Sequence, residues 1–104
     1  MKALCLLAIL GLVNVAQAQE SGEPQRGLKF SRANCASCHA VGRGERSSPN
    51  PLAPPFQRVA EVPGLTPIAV SHMMHSVHKT MPLIILPPDE EAHIAAYILS
   101  LRSR

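Results

Sequence analysis

The sequence of 104 residues predicts one domain of the all-α class with about three main helices. Apolar residues recur at helical spacing in two stretches, within residues 70–77 and 94–101. Prolines stand where those helices would begin, a position that needs no backbone N–H donor. No stretch shows the alternation of apolar and polar residues that a half-buried strand requires.

The first helix is predicted to run roughly from Pro24 to Ala36. Pro24 suits the first turn, and Gly27 and Phe30, three residues apart, share one face. Residues 42–55 then hold two glycines and four prolines, which indicate a loop. We expect this loop to be ordered, because its apolar side chains would cover part of a core.

The second helix is predicted to begin after Thr66, an N-cap residue, with Pro67 at its first position. Its apolar stripe consists of Val70, Met74 and Val77. The helix should end near His78, because the proline after Met81 favours extended backbone at that methionine.

The third helix is predicted to follow Pro87. Pro88 and the acids at 89–91 would occupy its first turn, where the positive end of the helix dipole favours carboxylates. Its buried stripe would consist of Ile94, Tyr97, Ile98 and Leu101.

The N-terminal segment reads as a secretory signal peptide at 1–18. Lys2 supplies a positive start, residues 4–13 are apolar, and Ala16-Gln17-Ala18 is a small-x-small cleavage site. A retained membrane anchor is the alternative, but the apolar run is too short to span a bilayer. The mature domain is therefore expected to cover 19–104, and no stable membrane insertion is expected after cleavage.

The composition argues against a nucleic-acid partner. The formal net charge is +3, and it would fall to about +2 once Lys2 is removed with the signal peptide. The basic residues are scattered, and the chain has one Tyr, two Phe and no Trp. A basic groove with stacking aromatics, which single-stranded nucleic acid requires, is therefore not encoded.

Residues 35–39 read Cys-Ala-Ser-Cys-His, the C-x-x-C-H pattern of covalent haem attachment. Two thiols at this spacing can form thioethers with the two vinyl groups of one haem, and His39 can then offer a nitrogen to the iron. A zinc site would need further ligands, usually a second cysteine pair, and the mature chain holds only Cys35 and Cys38. A redox dithiol would need a βαβ context, which is absent.

A second axial ligand decides what the haem can do. The candidates are Met73, Met74, Met81, His72, His75, His78 and His93. Most lie in predicted helices, where methionines more often belong to the core and histidines to the solvent-exposed face. His93 is expected at the edge of the last helix. Met81 follows the helix in a segment held extended by Pro82, so it can point inward, and we expect it to bind the iron.

Together these motifs resemble class I cytochrome c, in particular the small periplasmic monohaem cytochromes of bacteria. The resemblance rests on Cys-Ala-Ser-Cys-His at 35–39, Ala-Pro-Pro-Phe at 53–56, Lys-Thr-Met-Pro at 79–82 and Ala-Tyr-Ile-Leu-Ser-Leu at 96–101. It covers nearly the whole mature chain. It implies a cytochrome c-like fold wrapped around one covalently bound haem c.

The resemblance also implies roles for residues around the haem. A loop proline carbonyl accepts a hydrogen bond from the proximal histidine in this family, and Pro54 fits that place, with Pro55 as the alternative. The first and last helices cross at a small residue beside aromatics, a role matched by Gly27, Phe30 and Tyr97. Because no Trp is present to contact a haem propionate, one of three arginines is expected to do so: Arg43, Arg46 or Arg58.

The expected function is electron transfer rather than catalysis. Ligation by His39 and Met81 would saturate the iron and raise its reduction potential. This suits a periplasmic monomer that accepts electrons from a dehydrogenase or quinol-oxidising complex and donates them to a terminal oxidase. Two alternatives remain: a haem subunit of a larger periplasmic dehydrogenase, and a peroxidase-like or ligand-binding protein, which would need an open iron position and an acid–base group such as His78.

Overall fold

The computed structural model describes residues 22–76, 81–82 and 85–103. These ranges contain no strand and the following helices: α1 Pro24–Asn34, α2 Phe56–Ala60, α3 Pro67–His75 and α4 Pro88–Ser100. The predicted all-α class is therefore confirmed. The predicted signal peptide at 1–18, and the positions of Val77 and His78, lie outside the described residues.

Helix α1 ends at Asn34, before the predicted end at Ala36. The backbone N–H groups of Cys35 and Ala36 both donate to the Ser31 carbonyl, at 2.8 and 3.1 Å, which closes the helix with a tight turn. The cysteine motif therefore stands just outside the helix, in the turn that follows it.

Helix α2 was not predicted from the sequence. It forms because the Pro55 carbonyl accepts hydrogen bonds from the N–H groups of Arg58 and Val59, at 3.0 and 3.1 Å. Its five residues are too few to show a helical period. The helix buries Phe56 and Ala60 in the core.

Helix α3 begins as the local sequence predicts. The Thr66 hydroxyl accepts a hydrogen bond from the Ala69 N–H at 3.1 Å, so Thr66 is the N-cap, and Pro67 takes the first helical position. The helix ends at His75, because Ser76 already has extended backbone. This is earlier than the predicted end near His78.

Helix α4 crosses α1 where the sequence predicted. A Cβ atom on Gly27 would lie 2.0 Å from the His93 carbonyl oxygen and 2.7 Å from the Cβ of Tyr97. Only a residue without a side chain permits this approach of the two backbones. Ile94 and Leu101 are fully buried on the same stripe of α4, which confirms its predicted buried face.

The burial of His93 corrects its expected place at the edge of the last helix. This side chain is 9% exposed, and its Nδ1 accepts a hydrogen bond from the Glu23 N–H at 2.8 Å. Glu23 is the N-cap of α1, so His93 satisfies a backbone donor at the start of that helix. Its role is structural, in the joint between α1 and α4.

The loop, α2 and the end of α4 are joined through the buried side chain of Gln57. Its amide nitrogen donates to the Leu101 carbonyl at 2.7 Å, and its amide oxygen accepts from the Gly44 N–H at 2.9 Å. The ordered loop that the sequence predicted is thereby anchored to the core. No helix within the described ranges is long and apolar enough to span a bilayer.

Candidate functional site

The cysteine motif lies in the turn that follows α1, at the wall of the candidate site. The N–H groups of Cys38 and His39 donate to the Cys35 carbonyl, at 3.2 and 2.9 Å. This turn brings both cysteines and the histidine to the wall of one cavity. Neither cysteine is in a disulfide. Burial raises the pKa of the Cys35 thiol, and the neighbouring Ser31 hydroxyl partly opposes that rise.

His39 is oriented by the backbone of the loop. Its Nδ1 lies 2.7 Å from the Pro54 carbonyl oxygen. A carbonyl oxygen only accepts hydrogen bonds, so Nδ1 must carry the proton. Nε2 of the neutral ring is then the nitrogen with a free lone pair, available to a metal. The ring also packs against Phe56, with centroids 5.4 Å apart.

Further hydrogen bonds join the residues on either side of His39 to the proline-rich loop. The Cys38 carbonyl accepts from the Asn50 N–H at 3.1 Å. The Ala40 N–H donates to the Ser48 hydroxyl at 3.0 Å, and the Ala40 carbonyl accepts from the Phe56 N–H at 2.9 Å. The backbone on either side of His39 is thus fixed relative to residues 48–56.

Three methionines line the same cavity: Met73, Met74 and Met81. The first two belong to α3 and also pack against the hydrophobic core. Met81 stands outside the helices, followed by the exposed Pro82. The structure therefore brings the expected ligand Met81 into one cavity with His39, and it brings Met73 and Met74 there too.

The described histidines other than His39 do not line the cavity. His72 and His75 are exposed on α3, and His75 Nε2 lies 3.1 Å from both carboxylate oxygens of Glu91. His93 is engaged with the start of α1. His78 lies outside the described residues.

The cavity has a volume of about 570 Å³ and walls that are mostly apolar. Every helix contributes to them, through side chains such as Phe30, Phe56, Val70, Ile94 and Ile98. Its described lining contains no Asp, Glu, Lys or Arg. Such a space fits a large planar apolar group.

The donor set fits haem in particular. Two thiols can bond to the vinyl groups, an imidazole nitrogen and a thioether sulfur can bind the iron, and the walls match the apolar macrocycle. The residues present therefore agree with the group that the motif indicates.

The three arginines considered for a haem propionate do not line the cavity. Arg43 donates to the Ser100 carbonyl at 2.9 Å, and Arg46 lies 3.5 Å from the Glu61 carboxylate. Arg58 lines a small separate depression with Arg46 and Pro55. In this structure Arg43 and Arg46 link parts of the protein to each other.

Comparison with known proteins agrees with this geometry. The family described as cytochrome c matches residues 24–102, which includes the cysteine motif, the proline loop, Met81 and α4. The chain belongs to the cytochrome c family. Covalent haem c is the cofactor of that family, and Cys35 and Cys38 fit its C-x-x-C-H motif.

A relative supports the same assignment along almost the whole chain. Cytochrome c-552 of Bradyrhizobium diazoefficiens is 32% identical over 103 residues, covering 98% of this chain and 95% of the relative. No solved structure matches the chain significantly. The family and this relative support a haem electron carrier.

Sequence reasoning missed Asn50, which lines the cavity and bonds to the Cys38 carbonyl. The signal was present, because an Asn-Pro pair marks the start of a turn. The sequence also did not indicate that Phe30, expected beside the helix crossing, would line the cavity. Both positions depend on how distant segments meet, which local pattern does not specify.

Proposed function

We propose that this protein carries single electrons between periplasmic redox proteins through one haem, bound covalently by Cys35 and Cys38, with His39 and Met81 as the axial ligands. The observation that carries the proposal is the 2.7 Å contact between His39 Nδ1 and the Pro54 carbonyl. In the neutral ring this contact leaves Nε2 as the nitrogen with a free lone pair. That nitrogen belongs to the residue directly after the second cysteine, in a cavity that also holds Met81.

The haem supplies an iron that alternates between two oxidation states and a macrocycle that delocalises the electron. The role of the protein is to keep the surroundings of the iron nearly the same in both oxidation states. His39 is held by the loop carbonyl, and a thioether sulfur serves as a ligand to either oxidation state. Histidine and methionine together raise the reduction potential, which favours accepting electrons from a dehydrogenase or quinol-oxidising complex and passing them to a terminal oxidase.

One side of the cavity opens to the surface. Cys38, Leu52 and Pro82 line the cavity and are exposed. A partner can therefore approach the edge of the cofactor without entering the protein. Contacts of this kind are small and weak, as electron exchange with rapid turnover requires.

A peroxidase-like activity would need an acid or base beside the iron, and the residue considered for that role, His78, lies outside the described residues. Apart from His39, the polar side chains of the described lining are amides, a hydroxyl and thiols. His39 itself donates Nδ1–H to the Pro54 carbonyl. Electron transfer with both axial positions filled by protein is the function that these groups support.

The axial ligands are tested by replacing each methionine of the cavity in turn. Met81→Ala should open the iron, lower the reduction potential and allow the reduced holoprotein to bind carbon monoxide. Met73→Ala and Met74→Ala are matched controls, since they remove the same kind of side chain from the same cavity wall and should leave the iron six-coordinate. Optical spectra recorded with and without carbon monoxide show, for each of the three variants, whether the iron has an open position. Opening of the iron in Met73→Ala or Met74→Ala, with Met81→Ala unchanged, would reassign the ligand.

Export to the periplasm can be tested separately from haem ligation. Cleavage after Ala18 should give a periplasmic holoprotein that begins at Gln19, as intact-mass analysis of a periplasmic extract would report. A mass that retains residues 1–18 would contradict the signal-peptide assignment.

A further inference from the structure

Asn50 stands at the wall of the cavity and at the start of the turn that leads to Pro54. We infer that Asn50 is a positioning residue: it fixes the Pro54 carbonyl against His39 and so sets how strongly that imidazole donates to the iron. This inference rests on the proposed function, because it takes His39 as the proximal ligand.

Asn50 makes bonds to both segments that must be brought together. Its N–H donates to the Cys38 carbonyl at 3.1 Å, and its own carbonyl accepts from the Ala53 N–H at 3.0 Å. Its side-chain Oδ1 accepts from the Leu52 N–H at 3.0 Å. The first bond holds the turn to the residue before His39, and the other two close the turn that delivers Pro54.

Pro54 depends on these neighbours because it cannot anchor itself. Neither Pro54 nor Pro55 has a backbone N–H, so this segment has no donor of its own. After it, the Phe56 N–H donates to the Ala40 carbonyl at 2.9 Å. Before it, the nearest anchors are those of the Asn50 turn, and the Asn50 amide is the side chain that shapes this turn.

The position of the Pro54 carbonyl has a chemical consequence at His39. A hydrogen bond from Nδ1–H to a carbonyl raises the basicity of the ring and holds its orientation. A more basic imidazole favours the oxidised iron, which carries the higher charge. Loosening the turn should therefore weaken this bond and shift the reduction potential upward.

The test compares Asn50→Ala with Asn34→Ala. Asn34 also lines the cavity, but among the described residues its side chain donates to the Phe30 carbonyl within its own helix, at 3.0 Å. Its variant thus measures the loss of an amide from the cavity wall without any change in the turn. Two readouts apply to each holoprotein: the midpoint potential, and the solvent-exchange rate of the His39 Nδ1–H in the reduced protein labelled with ¹⁵N-histidine.

Asn50→Ala should speed exchange of that proton and raise the potential relative to Asn34→Ala. The expected rise corresponds to a roughly two- to tenfold change in the equilibrium constant with a fixed reference couple, where tenfold is about 59 mV for one electron. Asn50→Ser should restore slow exchange, because a serine hydroxyl can accept the same turn hydrogen bond without adding charge.

A second variant keeps the inference open to refutation if Asn50→Ala yields no holoprotein. Pro51 is the second residue of the turn that the Asn50 carbonyl closes with Ala53, and its ring fixes the backbone there. Pro51→Ala should loosen the turn and change both readouts in the same direction. Wild-type exchange and potential in a folded Asn50→Ala, or in Pro51→Ala when Asn50→Ala does not fold, would overturn the inference. The optical test of Met81 is independent of these readouts, so failure of the distal assignment remains distinguishable.

Discussion

At the residue scale, His39 shows how one backbone contact determines which nitrogen of an imidazole is free. The Pro54 carbonyl can only accept, so the 2.7 Å contact puts a proton on Nδ1, and in the neutral ring Nε2 is then available to a metal. The motif alone predicted that His39 would be close to the cysteines. The partner carbonyl came from family resemblance, with Pro54 and Pro55 both possible, because the choice depends on a loop shape that spacing does not encode.

The two cysteines allow a direct test of covalent attachment. Changing both Cys35 and Cys38 to Ala should abolish stable holoprotein, whereas either single change should leave one thioether. Denaturing mass spectrometry and acid–acetone extraction report whether haem stays with the polypeptide. Cys5→Ala is the matched control, since that residue should leave with the signal peptide. Normal covalent haem in the double variant would refute the attachment site.

Tyr97 gives a prediction about alkaline stability. The phenol is 5% exposed and donates to the Val41 carbonyl at 2.5 Å. Burial raises the pKa of Tyr97 above its ordinary value of 10.0, with Arg32 and Arg43 opposing the rise. The folded protein therefore holds this proton more tightly than the unfolded chain does. The resulting stability is complete below about pH 10 and is lost as the pH rises further.

Tyr97→Phe should remove that part of the pH dependence. At neutral pH it should cost about 1–3 kcal/mol, because it leaves the Val41 carbonyl without its partner. Between neutral pH and pH 11 the urea midpoint of the wild type should fall more steeply than that of the variant. Parallel curves for the two proteins would show that Tyr97 does not titrate differently in the folded state.

At the element scale, helices that begin with local signals were predicted, and those that depend on distant contacts were not. The Thr66-Pro67 pair specifies the start of α3 from adjacent residues alone. Helix α2 instead forms where the loop packs onto the core, and its short length leaves no periodic signal. His93 looked like an edge residue because its partner, the Glu23 N–H, is 70 positions away in the sequence.

The crossing of α1 and α4 leads to a prediction for Gly27. In Gly27→Val the first side-chain carbon would overlap the backbone of His93, which can be relieved only by separating the helices. Overpacking of this kind costs about 1–3 kcal/mol, or a fall of at least about 4 °C in the holoprotein melting temperature. Ala33→Val, at an exposed position of the same helix, controls for the lower helix propensity of valine. Equal melting temperatures for the two variants would contradict the close crossing.

At the scale of the whole molecule, the four described helices enclose a cavity that lies beside a small hydrophobic core. Phe30 comes from α1, Phe56 from α2, Val70 from α3, and Ile94 and Ile98 from α4. A chain of this size buries only ~60% of its unfolded surface on folding. Helices α1 and α3 make no close backbone contact with each other within the described residues, and both line the cavity. The cofactor is therefore expected to complete the core as well as to carry the electron.

This arrangement predicts that the haem-free mature chain does not fold. The cavity of about 570 Å³ has mostly apolar walls. Without the haem these walls would face water, so the burial of apolar surface that stabilises the fold would be lost there. A typical domain is stable by only ~5–15 kcal/mol, so a loss of this kind is expected to unfold it.

The haem-free chain can be prepared as the mature Cys35→Ala/Cys38→Ala double variant and studied by NMR and circular dichroism. Its NMR spectrum should show poor dispersion, and its near-ultraviolet circular dichroism should be weak, because the walls of the cavity have too little protein to pack against. The wild-type mature holoprotein under the same conditions is the control. A well-dispersed spectrum of the haem-free chain would contradict this prediction. It would mean that the direct contacts of α1 and α4 at Gly27 and Tyr97 are sufficient to stabilise the fold, and that haem binds to a domain that is already folded.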